Sequence, residues 1–159
     1  MGRDIHVKIL KKNDDKSYCE IAPYAYNIET NEFENVSDRM AYCDRNYDLF
    51  DALNNSEQPF SCRGVFEEAP KDVVDYFSQD YLYGVTYFDW CELVMFAQTP
   101  LATVPEEIDY IEDVDEALKD WPRRNVVQPW VNSLHTVLDM YYIFYPKPGE
   151  IIIQIAFDC

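Results

Sequence analysis

The chain is poor in the residues that build most catalytic motifs, with four glycines and two histidines in 159 residues. It contains no G-x-S-x-G elbow, no P-loop, no G-x-G-x-x-G turn and no H-E-x-x-H helix. Basic residues are also scarce: 13 Lys and Arg stand against 30 Asp and Glu, a formal charge of −17. Binding nucleic acid through overall charge is thereby disfavoured, since attraction to phosphates needs a basic footprint. An anionic membrane surface is disfavoured for the same reason. No apolar run approaches the ~20 residues that span a bilayer. The opening stretch MGRDIHVKIL is too short and too charged to read as a signal peptide. Five cysteines, Cys19, Cys43, Cys62, Cys91 and Cys159, are odd in number and widely scattered, with no C-x-x-C pair. Neither a disulfide framework nor a zinc site is expected from them, and they fit ordinary thiols in a reducing cytoplasm.

What is present is a core. Hydrophobic residues make up 48% of the chain, and a chain of roughly 150 residues can bury about 70% of its unfolded surface. A single domain over residues 1–159 is the expectation. Alternation of Ile5, Val7 and Ile9 with polar residues predicts a strand over 4–11. After the Asn13-Asp14-Asp15 turn a second strand is expected over 17–26, and nothing stable over 27–37. Short helices are expected over 46–53, where Tyr47, Phe50 and Leu53 share a face, and over 71–78, where Val73, Val74 and Phe77 do. Residues 56–70 read as a structured loop.

The spacing of Trp90, Leu93, Val94 and Ala97 predicts a helix over 86–98, with Thr86 as its cap and Asp89 in the place of a capping-box acid. A further helix is expected over 127–142, burying Trp130, Leu134, Val137, Leu138 and Tyr141. The run 150–158 (EIIIQIAFD) is the strongest strand signal. The predicted fold class is α+β: a mostly antiparallel sheet containing the N- and C-terminal strands, with several helices between them.

Residues 104–120 (VPEEIDYIEDVDEALKD) stand apart as an acidic helical segment. Ile108, Ile111, Val114 and Leu118 recur at helical spacing, while acids cover most of the rest. Like charges at i,i+4 repel, so a pattern that works against its own stability points to a role outside the fold. Aromatic residues make up 16% of the chain. They bunch at Tyr81, Tyr83, Tyr87 and Phe88 and again at Tyr141, Tyr142, Phe144 and Tyr145, where core packing and a binding surface are both open readings.

Asp4 and His6 lie two apart on a strand, so both point to one face, and Asp158 is on the more polar face of the last strand. If those strands are neighbours, a carboxylate–imidazole–carboxylate cluster forms at the sheet edge. Such a cluster suits general-base chemistry or a divalent metal; equally, it suits polar residues tying strand ends to loops.

The segment Met1-Gly2-Arg3-Asp4-Ile5-His6-Val7 resembles the opening of a family of small bacteriophage and prophage proteins that begin Met-Gly-Cys-Asp-Ile-His and continue into a strand. Arg45-Asn46-Tyr47-Asp48-Leu49-Phe50 is similar to an Arg-Asn-Tyr-x-Leu-Phe segment of that family. Arg63-Gly64 followed by Pro70-Lys71-Asp72-Val73, the aromatic stretch 87–93 ending in Glu92-Leu93, and the closing Phe157-Asp158-Cys159 resemble its later motifs in order. The resemblance implies an α+β fold and a phage origin, and it implies no activity. Asp4, His6, Arg45, Tyr47, Arg63 and Asp158 are the matching polar set. The departures are Arg3 for the usual cysteine, Tyr83 for a histidine and Cys159 for the final Asn; the acidic stretch 104–120 is no part of the pattern.

Two functions are expected from these features. The first is a phage-encoded acidic inhibitor of a host defence machine, anti-CRISPR-like, acting in the host bacterial cytoplasm. It would bind a basic nucleic-acid-handling surface such as that of a CRISPR effector, with nucleic-acid mimicry as the expected mode. Glu106, Glu107, Asp109, Glu112, Asp113, Asp115 and Glu116 would supply the charge, and Tyr81 and Tyr83 contact area. The second is a small enzyme or nucleotide-sequestering protein, with Asp4, His6 and Asp158 as the chemical cluster and Arg45, Tyr47 and Arg63 holding the ligand. Neither reading calls for a cofactor, a metal, a membrane or direct nucleic-acid contact.

Overall fold

The computed structural model describes residues 3–21, 24–35, 47–54, 62–98 and 127–158. Strand β1 (Asp4–Lys12) buries Ile5, Val7 and Ile9 on one face, following the alternation. The turn after it closes through Asn13, whose N–H donates to Ser17 O at 2.7 Å and whose C=O accepts the Lys16 N–H at 2.9 Å. Strand β2 (Tyr18–Ile21) returns antiparallel, with Ile9 opposite Ile21.

Here the structure departs from the expected second strand over 17–26. Pairing with β1 ends at Ile21, and β3 (Tyr24–Asn27) forms a separate two-stranded sheet with β4 (Glu32–Asn35). A hairpin therefore occupies much of the segment expected to hold nothing stable. Its polarity is the turn itself: Asn27 Oδ1 accepts the Glu29 N–H at 2.9 Å while Asn27 Nδ2 donates to Glu34 Oε1 at 2.8 Å, an Asx turn that makes polar sequence structural.

Helices α1 (Tyr47–Leu53) and α2 (Lys71–Phe77) stand where the spacing puts them, burying Leu49, Phe50 and Leu53, and Val73 and Phe77. The helix expected over 86–98 begins later. Residues Tyr83–Asp89 form strand β5, and α3 runs over Trp90–Gln98. The capping box exists, shifted by three residues. The Asp89 carboxylate accepts the N–H groups of Trp90 and Cys91, and the Asp89 N–H donates to Glu92 Oε2 at 3.3 Å. Thr86 belongs to the strand because Val85, Thr86, Tyr87 and Phe88 are β-branched or aromatic and fit a pleated, half-buried surface. Helix α4 (Gln128–Met140) buries Trp130, Val131, Leu134, Val137 and Leu138; Tyr141, expected on that side, caps the helix and is exposed.

Strand β6 (Ile151–Asp158) lies between β1 and β5 in a four-stranded antiparallel sheet of order β2-β1-β6-β5. The fold is α+β, with the first and last strands as neighbours. Every residue of β6 but Asp158 is buried, because both faces are covered. Ile151, Ile153, Ile155 and Phe157 join the larger core with α1, α3 and α4. Ile152 and Ala156 join Leu10, Tyr18, Val73, Phe77 and Leu82 under α2, with Val65 and Phe66 of the 62–70 loop packed against them.

Candidate functional site

The antiparallel register sets Asp4 opposite Asp158 and His6 opposite Ala156, which puts His6 and Asp158 on the same face of adjoining strands. His6 Nε2 lies 2.7 Å from Asp158 Oδ2, and His6 Nδ1 lies 2.5 Å from the Tyr76 hydroxyl on α2. A carboxylate only accepts, so the imidazole N–H belongs on Nε2, and Nδ1 accepts the Tyr76 proton; this tautomer is assigned from its partners. The two hydrogen-bonded side chains are 18% and 22% exposed. Tyr81 meets the imidazole edge-on with ring centroids 6.3 Å apart. Lys8, two residues along the same strand face, lies 3.3 Å from Glu20 Oε1 and 5.1 Å from the centre of the Tyr76 ring. Glu20 Oε1 is buried without a hydrogen bond, so the Lys8 charge offsets its loss of water.

Asp4 takes its expected register position on this face. A carboxylate-oriented imidazole is the arrangement of a general base, but the nitrogen that would take a proton is occupied by a phenol. In this state the imidazole links β1, β6 and α2, and the group it positions is the Tyr76 hydroxyl. Among the described residues, no three His, Cys, Asp or Glu side chains are grouped so as to hold a metal ion.

The remaining ligand-site residues are not gathered here. The Arg63 guanidinium reaches Glu92 Oε2 at 2.7 Å and Tyr87 O at 3.3 Å, and it lies 5.4 Å from the centre of the Tyr87 ring. His6 and Arg63 share none of these partners. Tyr47 is covered by the Arg3 guanidinium at 5.0 Å, and Arg3 also pairs with Asp51 at 3.1 Å and with the Tyr83 hydroxyl. Arg3 and Tyr83 thus meet each other. Arg45 and the acids Glu106, Glu107, Asp109, Glu112, Asp113, Asp115 and Glu116 lie outside the described residues, as does the 104–120 segment as a whole.

The two aromatic bunches have different fates. Phe88 is fully buried, and Tyr83 and Tyr87 are half-buried against the two cores, leaving Tyr81 exposed at 54%. In the second bunch Tyr142, Phe144 and Tyr145 are 84%, 51% and 93% exposed, the outcome expected of a surface and not of a core.

Sequence reasoning missed Tyr76, for which α2 carries no signal beyond its apolar spacing, and Glu92 as the Arg63 partner, for which the capping box was the available clue. It also missed Gln154. That side chain is fully buried: Oε1 accepts the Phe66 N–H at 2.8 Å, and Nε2 donates to Thr86 O at 2.8 Å and to Gly64 O at 3.2 Å. It fastens the 62–70 loop, and with it Arg63, to the sheet. A register shift between Tyr83 and Thr86 accompanies the engagement of the Thr86 carbonyl by a side chain. No family model, curated protein or solved structure matches the chain.

Proposed function

We propose that this protein is an acidic inhibitor, phage-encoded and acting in the host bacterial cytoplasm, that occupies a basic nucleic-acid-binding surface of a host defence protein such as a CRISPR effector. The observation that carries this reading is the formal charge of −17. A field of that sign steers the protein towards Lys- and Arg-lined channels and away from nucleic acid itself. The structure adds support by weakening the rival. The nucleotide-site reading needs Arg63 and His6 for a ligand, and the first is bonded to Glu92 while both ring nitrogens of the second are engaged. Among the described residues no helix is long and apolar enough to cross a membrane.

The test is an inhibition assay with a purified effector and its nucleic-acid substrate, run across a salt series. Inhibition is expected to weaken as salt rises, and to weaken at least tenfold in a Glu106→Lys/Glu107→Lys/Asp109→Lys/Glu112→Lys variant. Full inhibition by that variant removes the charge-mimicry part.

A further inference from the structure

Helix α4 ends in a hydrogen-bonding pattern that ordinarily uses glycine. The Ile143 N–H donates to Leu138 O and the Tyr142 N–H to Asp139 O, both at 3.0 Å, the two bonds of a Schellman cap with Tyr142 at its left-handed position. Tyr142 has φ 59°, a conformation that a bulky L-residue adopts at a cost. The strain holds a ring that is 84% exposed. Residues held in strained backbone conformations cluster at functional sites. Of the nine exposed large hydrophobic side chains among the described residues, five fall within residues 140–145.

The loop carrying them is fixed from behind. Gly149 N–H donates to Asp89 Oδ1 at 3.1 Å, the Tyr18 hydroxyl to Gly149 O at 2.6 Å, and Lys12 N–H to Glu150 O at 2.8 Å. Between this loop and the end of β1 lies an open groove of about 560 Å³, with Tyr142, Phe144 and Tyr145 on one side and Asp14, Glu150, Lys11 and Lys12 in the rest of its lining. The lining charges balance, two lysines against two carboxylates, so the wider charge of −17 biases the approach of a partner while contacts inside the groove choose the side chain. A second copy of a −17 chain is disfavoured by like charge, and a nucleotide phosphate, which Lys11 and Lys12 could meet, lacks a group to pair with Asp14 and Glu150.

We infer that this groove receives an arginine side chain of the basic partner: the guanidinium stacks on the exposed tyrosine rings while Asp14 or Glu150 accepts its N–H groups. Arginine suits the place better than lysine because its planar, weakly hydrated head stacks on aromatic faces and bonds carboxylates in the same plane. The aromatic run then acts as the anchor of an interface whose wider electrostatics come from acids elsewhere. This inference rests on the proposed basic partner and names the side chain that partner presents.

The probe is the tripeptide acetyl-Gly-Arg-Gly-amide, titrated into ¹⁵N-labelled protein at about 0.15 M salt, where exposed charges are screened beyond about 8 Å. Its lysine counterpart and adenosine monophosphate serve as comparators. The arginine peptide is expected to shift the amide signals of residues 142–145 and Glu150 and to bind about threefold more tightly than the lysine peptide. Each exposed ring contributes about two- to fivefold, so Tyr142→Gly with Tyr145→Ala weakens binding about tenfold. Tyr142→Gly also relieves the left-handed strain and is expected to raise Tm, which separates a lost contact from a damaged fold. Equal binding of the two peptides, shifts scattered over the surface, or preference for the nucleotide overturns the inference. The outcomes also separate the two proposals. Groove binding of arginine in a protein whose charge-reversed variant still inhibits keeps the groove and removes charge mimicry; the converse keeps charge mimicry and removes the groove.

Discussion

Replacing Gln154 by leucine isolates one buried amide. The side chains are of similar bulk, so the change removes hydrogen bonding more than volume. Three backbone groups lose a hydrogen bond: the Phe66 N–H at 2.8 Å, Thr86 O at 2.8 Å and Gly64 O at 3.2 Å. A buried polar group left without a hydrogen bond costs about 1–3 kcal/mol. The carbonyls tolerate the loss better than the amide, since each has a second lone pair. The 62–70 loop can also lift to admit water. The expected loss is therefore about 3–5 kcal/mol, against a total stability of about 5–15 kcal/mol for a domain. Urea unfolding of the two proteins gives the difference, with the slope m checking that the unfolding unit is unchanged. Hydrogen exchange adds the local reading, because the Phe66 amide should lose its protection more than amides of β1. A loss below about 1 kcal/mol with the Phe66 amide still protected would refute the view that Gln154 fastens the loop.

Two further outcomes follow from the same contacts. In a double-mutant cycle of His6→Ala and Tyr76→Phe, the coupling energy should be about 0.5–1.5 kcal/mol in thermal or urea unfolding; no coupling would mean that the Nδ1–hydroxyl contact holds nothing. Asp89 supplies a pH dependence. Burial is the main cause that raises its pKa, and the nearby Glu92 charge adds to it against the N–H groups of Gly149, Trp90 and Cys91, which donate to the carboxylate. A carboxyl whose folded pKa lies above the unfolded value binds its proton more tightly when folded. Its contribution to stability is therefore greatest below the ordinary carboxylate range and falls as pH rises through the folded value. Asp89→Asn keeps a capping oxygen and removes this titration, so its Tm relative to the parent protein should rise between about pH 3 and pH 7; parallel curves would contradict the assignment.

The strands at the chain ends were legible because alternation and a long apolar run are period signals that survive without knowledge of the partners. Ile5, Val7 and Ile9 showed which face of β1 is buried, and the even positions then carried His6 and Asp158 to one side. Boundaries set by tertiary pairing were not legible. Thr86 offered a plausible cap, but β6 needed a partner along its far edge, and that demand converted residues 83–89 to strand and moved the cap to Asp89. The turn at Asn27 has the sequence of a loop because its polarity serves bonds within the turn. Gln154 was invisible for a different reason: in a run of Ile and Ala it looks like the solvent face of an amphipathic strand, and only the loop laid over that face makes it a buried anchor.

The distribution of cations bears on how a functional surface should be sought here. Arg63, one of the two arginines that the sequence offers to an anionic ligand, is paired with a carboxylate at 2.7 Å, and Arg3 and Lys8 are likewise paired at 3.1 and 3.3 Å. Their partners sit on α3, α1 and β2 in turn, so these pairs stitch neighbouring elements. Lys71 pairs with Asp75 on the same helix, in an exposed i,i+4 geometry that contributes little. Glu92 serves twice, as the Arg63 partner and as the acid that reaches back to the Asp89 N–H. A loss of function on replacing Arg63 would thus report on how the 62–70 loop meets α3 before it reported on any ligand. Internal pairing also leaves the net charge unchanged, since each pair consumes one acid with one base. The excess of acids, 30 against 13, therefore persists whatever the pairing, and long-range electrostatics favour approach of a basic species over an acidic one.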